Sequence, residues 1–229
     1  DDTIAWYEND GGATPSFTTR TITTSAIIAT SVYATDLDGD GDTDVLSASG
    51  LDDTTAWYEN NGGADPSFTK RTIFTTSTSF ATSVYATDLD GDTDIDVLSA
   101  VYEDDTTWYE NSGTIAWYEN DGGADPSFTT RTITTSADSP WSVYATDLDG
   151  DTDIDVLSAS SGDDTIAWYE NDGSATPSFT KRTITTSAES ALSVYATDLD
   201  GDGDIDVLSA SSDDDTIAWY ENKRISGPQ

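Results

Sequence analysis

The word Ala-Trp-Tyr-Glu-Asn begins at Ala5, Ala56, Ala116, Ala167 and Ala218, and Pro-Ser-Phe-Thr begins at Pro15, Pro66, Pro126 and Pro177. Outside the step across residues 57–117, the spacing is 51 residues. A chain that repeats itself at such an interval builds one structural unit several times over, and each unit must bury its faces on its neighbours. The exceptional step carries a second Trp-Tyr-Glu-Asn word, Trp108 to Asn111, and reads as a local duplication of about one strand.

Within one period, β-branched and aromatic residues form four short runs bounded by Asp, Gly, Asn and Pro clusters, and no stretch has helical periodicity. In the third copy the runs are Ser-Val-Tyr-Ala-Thr from Ser142, Asp-Val-Leu-Ser-Ala-Ser from Asp155, Thr-Ile-Ala-Trp-Tyr-Glu-Asn from Thr165, and Ser-Phe-Thr-Lys-Arg-Thr-Ile-Thr-Thr from Ser178. The turns between them are short enough for consecutive strands to pair as an antiparallel meander. The expected fold is therefore all-β: a β-propeller of about four four-stranded blades. Residues 1–229 form one repeat domain: a half blade at 1–25, blades at 31–76, 83–135 (with the inserted strand) and 142–186, a partial blade at 193–222, and a tail at 223–229. Pairing of the N- and C-terminal strands could close the ring. Both ends carry an Asp-Asp-Thr-Ile-Ala-Trp-Tyr-Glu-Asn strand where one would suffice, so either one copy is extra or subunits share blades head to tail.

The formal net charge is −37, from 45 acidic and 8 basic residues. Acidic disordered chains are poor in aromatics, whereas Phe, Trp and Tyr make up 10% of this one, so it reads as folded. Such a surface repels phosphate backbones and anionic lipid, which excludes nucleic acid and membrane surfaces as partners and favours cations. The longest apolar runs, such as Ala26-Ile27-Ile28-Ala29, are too short to insert into a bilayer. Absence of Cys rules out disulfides and thiolate metal sites. A start in mid-pattern, without an initiator Met or a signal peptide, suggests a processed or trimmed piece of a longer protein.

Twenty of the acidic residues lie in four nine-residue loops between the first two strands of each blade. They are Asp36, Asp38, Asp40, Asp42 and Asp44; Asp88, Asp90, Asp92, Asp94 and Asp96; Asp147, Asp149, Asp151, Asp153 and Asp155; and Asp198, Asp200, Asp202, Asp204 and Asp206. Carboxylates at loop positions 1, 3 and 5, a carbonyl at position 7 and a closing carboxylate at position 9 can wrap one hard cation in oxygen, which points to about four Ca²⁺ ions. An EF-hand is excluded, because its twelfth position would be Ser47, Ser99, Ser158 or Ser209, each inside an expected strand. The competing reading is an acidic turn that is merely solvated.

The stretches Asp-Leu-Asp-Gly-Asp-Gly-Asp-Thr-Asp at Asp36 and Asp-Leu-Asp-Gly-Asp-Gly-Asp-Ile-Asp at Asp198 resemble the signature of FG-GAP or VCBS-type repeats, and the likeness extends over nearly the whole chain. The resemblance implies a calcium-binding propeller like the integrin alpha-chain head. Proteins of this type serve in adhesion, in sugar binding and as accessory modules of enzymes, so it implies function only loosely. Thr93 and Thr152 stand where the signature has its second Gly, while Gly41 and Gly203 match it, so the second and third loops are expected to bind more weakly.

Without His or Cys the usual bases, triads and zinc sites cannot be built, and no enzyme activity is expected. Carboxylate pairs such as Asp52–Asp53 and Asp163–Asp164 recur from blade to blade as turn residues, and Arg20, Arg71, Arg131 and Arg182 should pair across strands with Glu8, Glu59, Glu119 and Glu170. The third-strand tryptophans read as packing between blades, with a sugar-stacking platform as the alternative. The least repetitive segments are the links entering each first strand, which carry Ile28, Phe80, Trp141 and Leu192; these are the candidate ligand-binding residues, unless they plug the channel. The expected function is an extracellular or cell-surface, calcium-stabilised binding or adhesion module for carbohydrate or protein. Two alternatives stand beside it: a self-associating surface or fibre subunit, and the accessory propeller of a secreted polysaccharide-active enzyme.

Overall fold

The computed structural model describes residues 2–75, 79–103 and 112–223. Among them there is no helix, and so none that could cross a membrane. Strands β1 (Ile4–Asn9) and β2 (Phe17–Thr23) form a two-stranded sheet. Three four-stranded meanders follow: β3 (Ala29–Thr35), β4 (Asp44–Ser49), β5 (Thr54–Asn60) and β6 (Phe68–Thr75); β7 (Ser79–Thr87), β8 (Asp96–Glu103), β9 (Ser112–Asn120) and β10 (Phe128–Asp138); and β11 (Pro140–Thr146), β12 (Asp155–Ser160), β13 (Thr165–Asn171) and β14 (Phe179–Thr185). A three-stranded sheet of β15 (Ala191–Thr197), β16 (Asp206–Ser211) and β17 (Thr216–Tyr220) ends the series. The arrangement is the propeller-like repeat expected from the period. Among the described residues the first and last sheets are separate, and no ring closure is made between them.

Register repeats with the sequence. Leu46 faces Trp57, which faces Arg71; Leu98, Trp117 and Arg131 repeat the row, as do Leu157, Trp168 and Arg182. Because side chains alternate along a strand, each sheet has two different apolar faces. The forward face carries large groups (Leu37, Leu46 and Trp57 in the first full sheet) and meets Val84, Ala86, Val97, Ala116 and Tyr118 on the rear face of the next. The following junctions set Leu89, Leu98 and Trp117 against Val143, Ala145, Val156 and Tyr169, then Leu148, Leu157 and Ile166 against Val194, Ala196 and Val207. Leu and Trp of one face pack against Val, Ala and Tyr of the other, and the side chains named in each cluster are almost fully buried.

First strands of neighbouring sheets are also tied directly. The Val84, Val143 and Val194 amides donate to the hydroxyls of Ser31, Ser83 and Ser142 at 3.3, 3.2 and 3.3 Å. The rings of Tyr33, Tyr85, Tyr144 and Tyr195 stack in a tilted column with centroids 4.7, 5.0 and 4.9 Å apart. Burial and the neighbouring phenols hold the Tyr85 hydroxyl well above its ordinary range.

The duplicated word Trp108–Asn111 lies outside the described residues. The sheet around it has four described strands, and its β8–β9 ladder runs on to Tyr102 paired with Gly113. Gly113 is required there, since a β-carbon would collide with the Pro140 ring at the start of the next sheet.

Buried Thr82 places its hydroxyl 3.1 Å from the Ala100 carbonyl of its own sheet and 2.7 Å from the Pro140 carbonyl of the next. Thr82→Val keeps the shape and removes the donor, so urea unfolding should show a loss of about 1–2 kcal/mol.

Candidate metal centres

Each acidic loop folds on its own backbone. In the first, Asp36 accepts from the Gly39 and Gly41 amides at 2.9 and 3.0 Å, Asp38 from Asp40 at 3.2 Å, and Asp40 from Asp42 at 2.8 Å. The same bonds recur in the loops opened by Asp88, Asp147 and Asp198. Carboxylate oxygens converge to within 4.8 Å of one another in four triads: Asp36, Asp38 and Asp40; Asp88, Asp90 and Asp96; Asp147, Asp149 and Asp155; Asp198, Asp200 and Asp206.

Positions 1 and 3 come together in every loop, as the spacing suggested, but position 5 joins them only in the first. In the other three triads the third member is position 9, while Asp92, Asp151 and Asp202, and Asp44 in the first loop, lie close by but outside the triads. The position-7 side chains do not converge on the triads: Asp42, Asp94 and Asp153 lie against Gly62, Gly122 and Gly173 of the turn between the third and fourth strands, where a β-carbon would collide with them. Asp204 holds the same loop position, its amide donating to Asp202 at 2.9 Å.

The position-9 carboxylates are buried and doubly bonded. Asp44 accepts from the Leu37 amide at 3.1 Å and the Asn60 amide at 2.8 Å; Asp96 does so from Leu89 and Asn120, Asp155 from Leu148 and Asn171, and Asp206 from Leu199 and Asn222. Burial pushes Asp44 and Asp155 up to about 6 and Asp96 up to about 7, with nearby loop carboxylates adding to it and the amide bonds opposing it. Asp206, in the open last sheet, goes the other way: burial still raises it, but bonds from Asn222, Leu199 and Trp219 together prevail. Burial also raises Asp38, Asp90 and Asp149, and repulsion from neighbouring carboxylates adds to the shift.

The Asn that closes the Trp-Tyr-Glu-Asn word was given no role in the sequence reading, although it recurs in every copy. Its side-chain amide links two loops: Asn120 donates to the Ile95 carbonyl of its own loop at 3.0 Å and to the Leu37 carbonyl of the preceding one at 3.1 Å. Asn171 joins Ile154 to Leu89, and Asn222 joins Ile205 to Leu148. Neighbouring centres are thus mechanically connected.

The donors are all carboxylate and carbonyl oxygens in a chain that lacks His and Cys, and that set suits a hard divalent cation. Such an ion would neutralise the charge that burial and repulsion now disfavour.

On the opposite side, the links to the first strands bond to the turns between second and third strands: Gly50 donates to Ile28, Ser161 to Ser139, and Ser212 to Ser190. Phe80 and Trp141 approach each other at 6.5 Å, and Phe80 also covers Gly50 and packs on Tyr102. Trp141 keeps 37% of its surface exposed, and Ile28 and Leu192 are exposed as well. The arginines pair with Glu8, Glu59, Glu119 and Glu170, and Arg71 also reaches Asp125 of the next sheet at 2.6 Å. Trp57 and Trp117 are sealed between sheets, which leaves them no ligand-stacking face. Asp53 and Asp164 sit at positive φ in tight turns, and Asp164 accepts the Ser190 amide at 2.8 Å.

Two outcomes follow from the loops. Raised carboxyl pKa values mean that the metal-free fold binds more protons than the unfolded chain between about pH 4 and 7. Its stability is fully present below the ordinary value of 3.8 and is lost as pH rises through about 6 to 7, so melting of the chelated protein should fall across that window. Thr93 and Thr152 hold φ of 84° and 86°, a left-handed backbone that costs a side-chain-bearing residue about 1–2 kcal/mol. Thr93→Gly should therefore raise the melting temperature and tighten cation binding by calorimetry.

The FG-GAP-like repeat pattern matches the chain four times, at residues 1–47, 36–99, 100–158 and 147–209. No curated protein matches it. With the matched segments covering most of its length, the chain belongs to the FG-GAP-like repeat family.

Proposed function

We propose that the chain is a non-catalytic, calcium-stabilised binding module that works outside the cell and recognises carbohydrate or protein. The observation that carries the reading is the set of four aspartate triads, one in each complete acidic loop. Calcium fits the donor set better than magnesium does, because it accepts six to eight oxygens in flexible geometry, while magnesium demands a tight octahedron and keeps its waters. Asp36, Asp88, Asp147 and Asp198 with their position-3 partners would hold the ion, and the position-9 carboxylate would fasten the filled loop to the sheet. Filling four sites would bring the net charge from −37 to about −29.

The link face, with Ile28, Phe80, Trp141 and Leu192, is the recognition surface under this reading. It lies away from the metal loops, and it varies between copies where the rest of the repeat hardly does. The acidic pairs in the turns serve the backbone, as at Asp164, which supports a role without catalysis.

Thermal melts test the calcium half. A free ion at about 100 times its Kd contributes about 2.7 kcal/mol per site, so excess calcium should raise melting over EDTA by at least about 5 °C, and magnesium by less. Identical curves in calcium and EDTA would refute it. For the recognition half, a glycan and protein array should show binding that Trp141→Ala abolishes while leaving the melt unchanged.

A further inference from the structure

The four turns between third and fourth strands follow one plan, and one of them departs from it by a single residue. Asp10, Asp121 and Asp172 head the β1–β2, β9–β10 and β13–β14 turns, each followed by Gly, whereas the β5–β6 turn has Asn61 followed by Gly62. This is the one Asn-Gly pair in the sequence.

The aspartates fasten their turns through both carboxylate oxygens. One oxygen of Asp10 accepts the Gly12 and Ser16 amides at 2.9 and 3.2 Å, and the other accepts the Ser16 hydroxyl at 2.5 Å. Asp172 holds the Ser174 and Ser178 amides and the Ser178 hydroxyl, and Asp121 holds Gly123 and Ser127 in the same way. The hydroxyl bond is the main reason that all three carboxyls lie below the usual range. Asn61 accepts the Gly63 and Ser67 amides at 3.2 and 3.0 Å, but a side-chain amide has one acceptor oxygen, and among the described residues no bond joins it to the Ser67 hydroxyl. A neutral acceptor also holds an amide more weakly than a carboxylate does, so Asn61 is the least firmly fixed of the four.

The fold also prevents any bulkier neighbour from shielding Asn61. Gly62 has a φ of 66°, a left-handed conformation that suits glycine, and a β-carbon on it would collide with the Asp42 carboxylate. Its amide nitrogen therefore lies beside the Asn61 side chain with no β-carbon in the way, held by a bond to the Asn60 side-chain oxygen at 3.1 Å. Asn61, Gly62 and Gly63 are all exposed to water.

We propose that Asn61 is a site of spontaneous deamidation, at which the folded chain makes for itself the aspartate that the other three turns carry. The Gly62 nitrogen attacks the Asn61 side-chain carbonyl carbon, and the new bond closes a five-membered succinimide. The bond from that carbon to the side-chain nitrogen breaks, and the departing amide takes up the Gly62 proton and leaves as ammonia. Water then opens the ring at the bond just formed, so one water is consumed, one ammonia is released and no oxidant or reductant is needed. The aspartate gains the Ser67 hydroxyl as a partner. Held ionised by that bond, as its three siblings are, it is a poor electrophile for renewed attack, and the change runs one way. Opening at the other carbonyl would give isoaspartate and lengthen the main chain by one carbon, inside the span that the Asn61 amide closes on the Ser67 carbonyl at 3.1 Å. The turn thus selects aspartate. The inference does not depend on the proposed function.

Peptide mapping by mass spectrometry tests this on the folded chain kept in warm, mildly alkaline buffer. The mass gain of an amide turned to an acid should appear at Asn61 many-fold faster than at Asn9, Asn60, Asn120, Asn171 or Asn222, with aspartate exceeding isoaspartate. Asn61→Asp, prepared directly, should melt about 2–4 °C above the freshly purified parent, the shift one added hydrogen bond gives a chain of this size, and the parent should approach that value as it ages. Ser67→Ala should erase the gain in Asn61→Asp and leave the melt of the fresh parent unchanged. Asn61→Gln, whose longer side chain closes a ring far more slowly, should keep both mass and melt on ageing. An Asn61 that persists in the folded chain, a majority of isoaspartate, or an Asn61→Asp variant that melts no higher than the parent would each overturn the proposal.

Discussion

A buried carboxylate that accepts two backbone amides from different segments is the contact on which the repeat depends. Asp44, Asp96, Asp155 and Asp206 each join the second residue of the acidic loop to the Asn that closes the Trp-Tyr-Glu-Asn word, across a distance in sequence that no local turn could span. Removing such a group from water is costly unless its oxygens are satisfied, and here both are. The loop is thereby anchored at its end while its first and third aspartates converge, and at Asn120, Asn171 and Asn222 the residue that supplies one of the amides reaches across to the loop before it. Aspartate cluster, hairpin and blade junction are consequently one structure.

The second constraint is steric. A forward face of Leu and Trp meets a rear face of Val, Ala and Tyr, and the sequence supplies both on alternate residues of the same strands. Each sheet can therefore stack on its neighbour in the same way, and the three junctions repeat one pattern. Stacking is directional because the two faces differ, and this gives the series a leading and a trailing end.

Much of this was legible in the residues. The period predicted the meanders, the Asp spacing predicted the loops, and the Arg and Glu positions predicted their cross-strand pairs. What escaped has physical reasons. Loop spacing alone does not say whether position 5 or position 9 completes a triad, because that depends on the hairpin's fold against the third strand, seen in the choice of Asp96 over Asp92. The side chain of Asp42 turns toward Gly62 because the glycine leaves room for it, a contact between two turns that are far apart in sequence. Asn120 went unnoticed since its bonds run to the Leu37 carbonyl of another sheet, and backbone partners leave no mark on a sequence.

The stacked order also governs how the molecule comes apart. Among the described residues, a sheet such as β7–β10 is clasped on both faces, whereas β15–β17 is clasped on one and its last strand hardly at all. In a nearest-neighbour solenoid the opening free energy of a unit tracks the junctions it makes, so fraying begins at the margins and amide protons are retained longest in the middle. Because every frayed strand has near-identical siblings, refolding from a concentrated solution invites pairing with the wrong one, and its yield is set by how dilute the chains are.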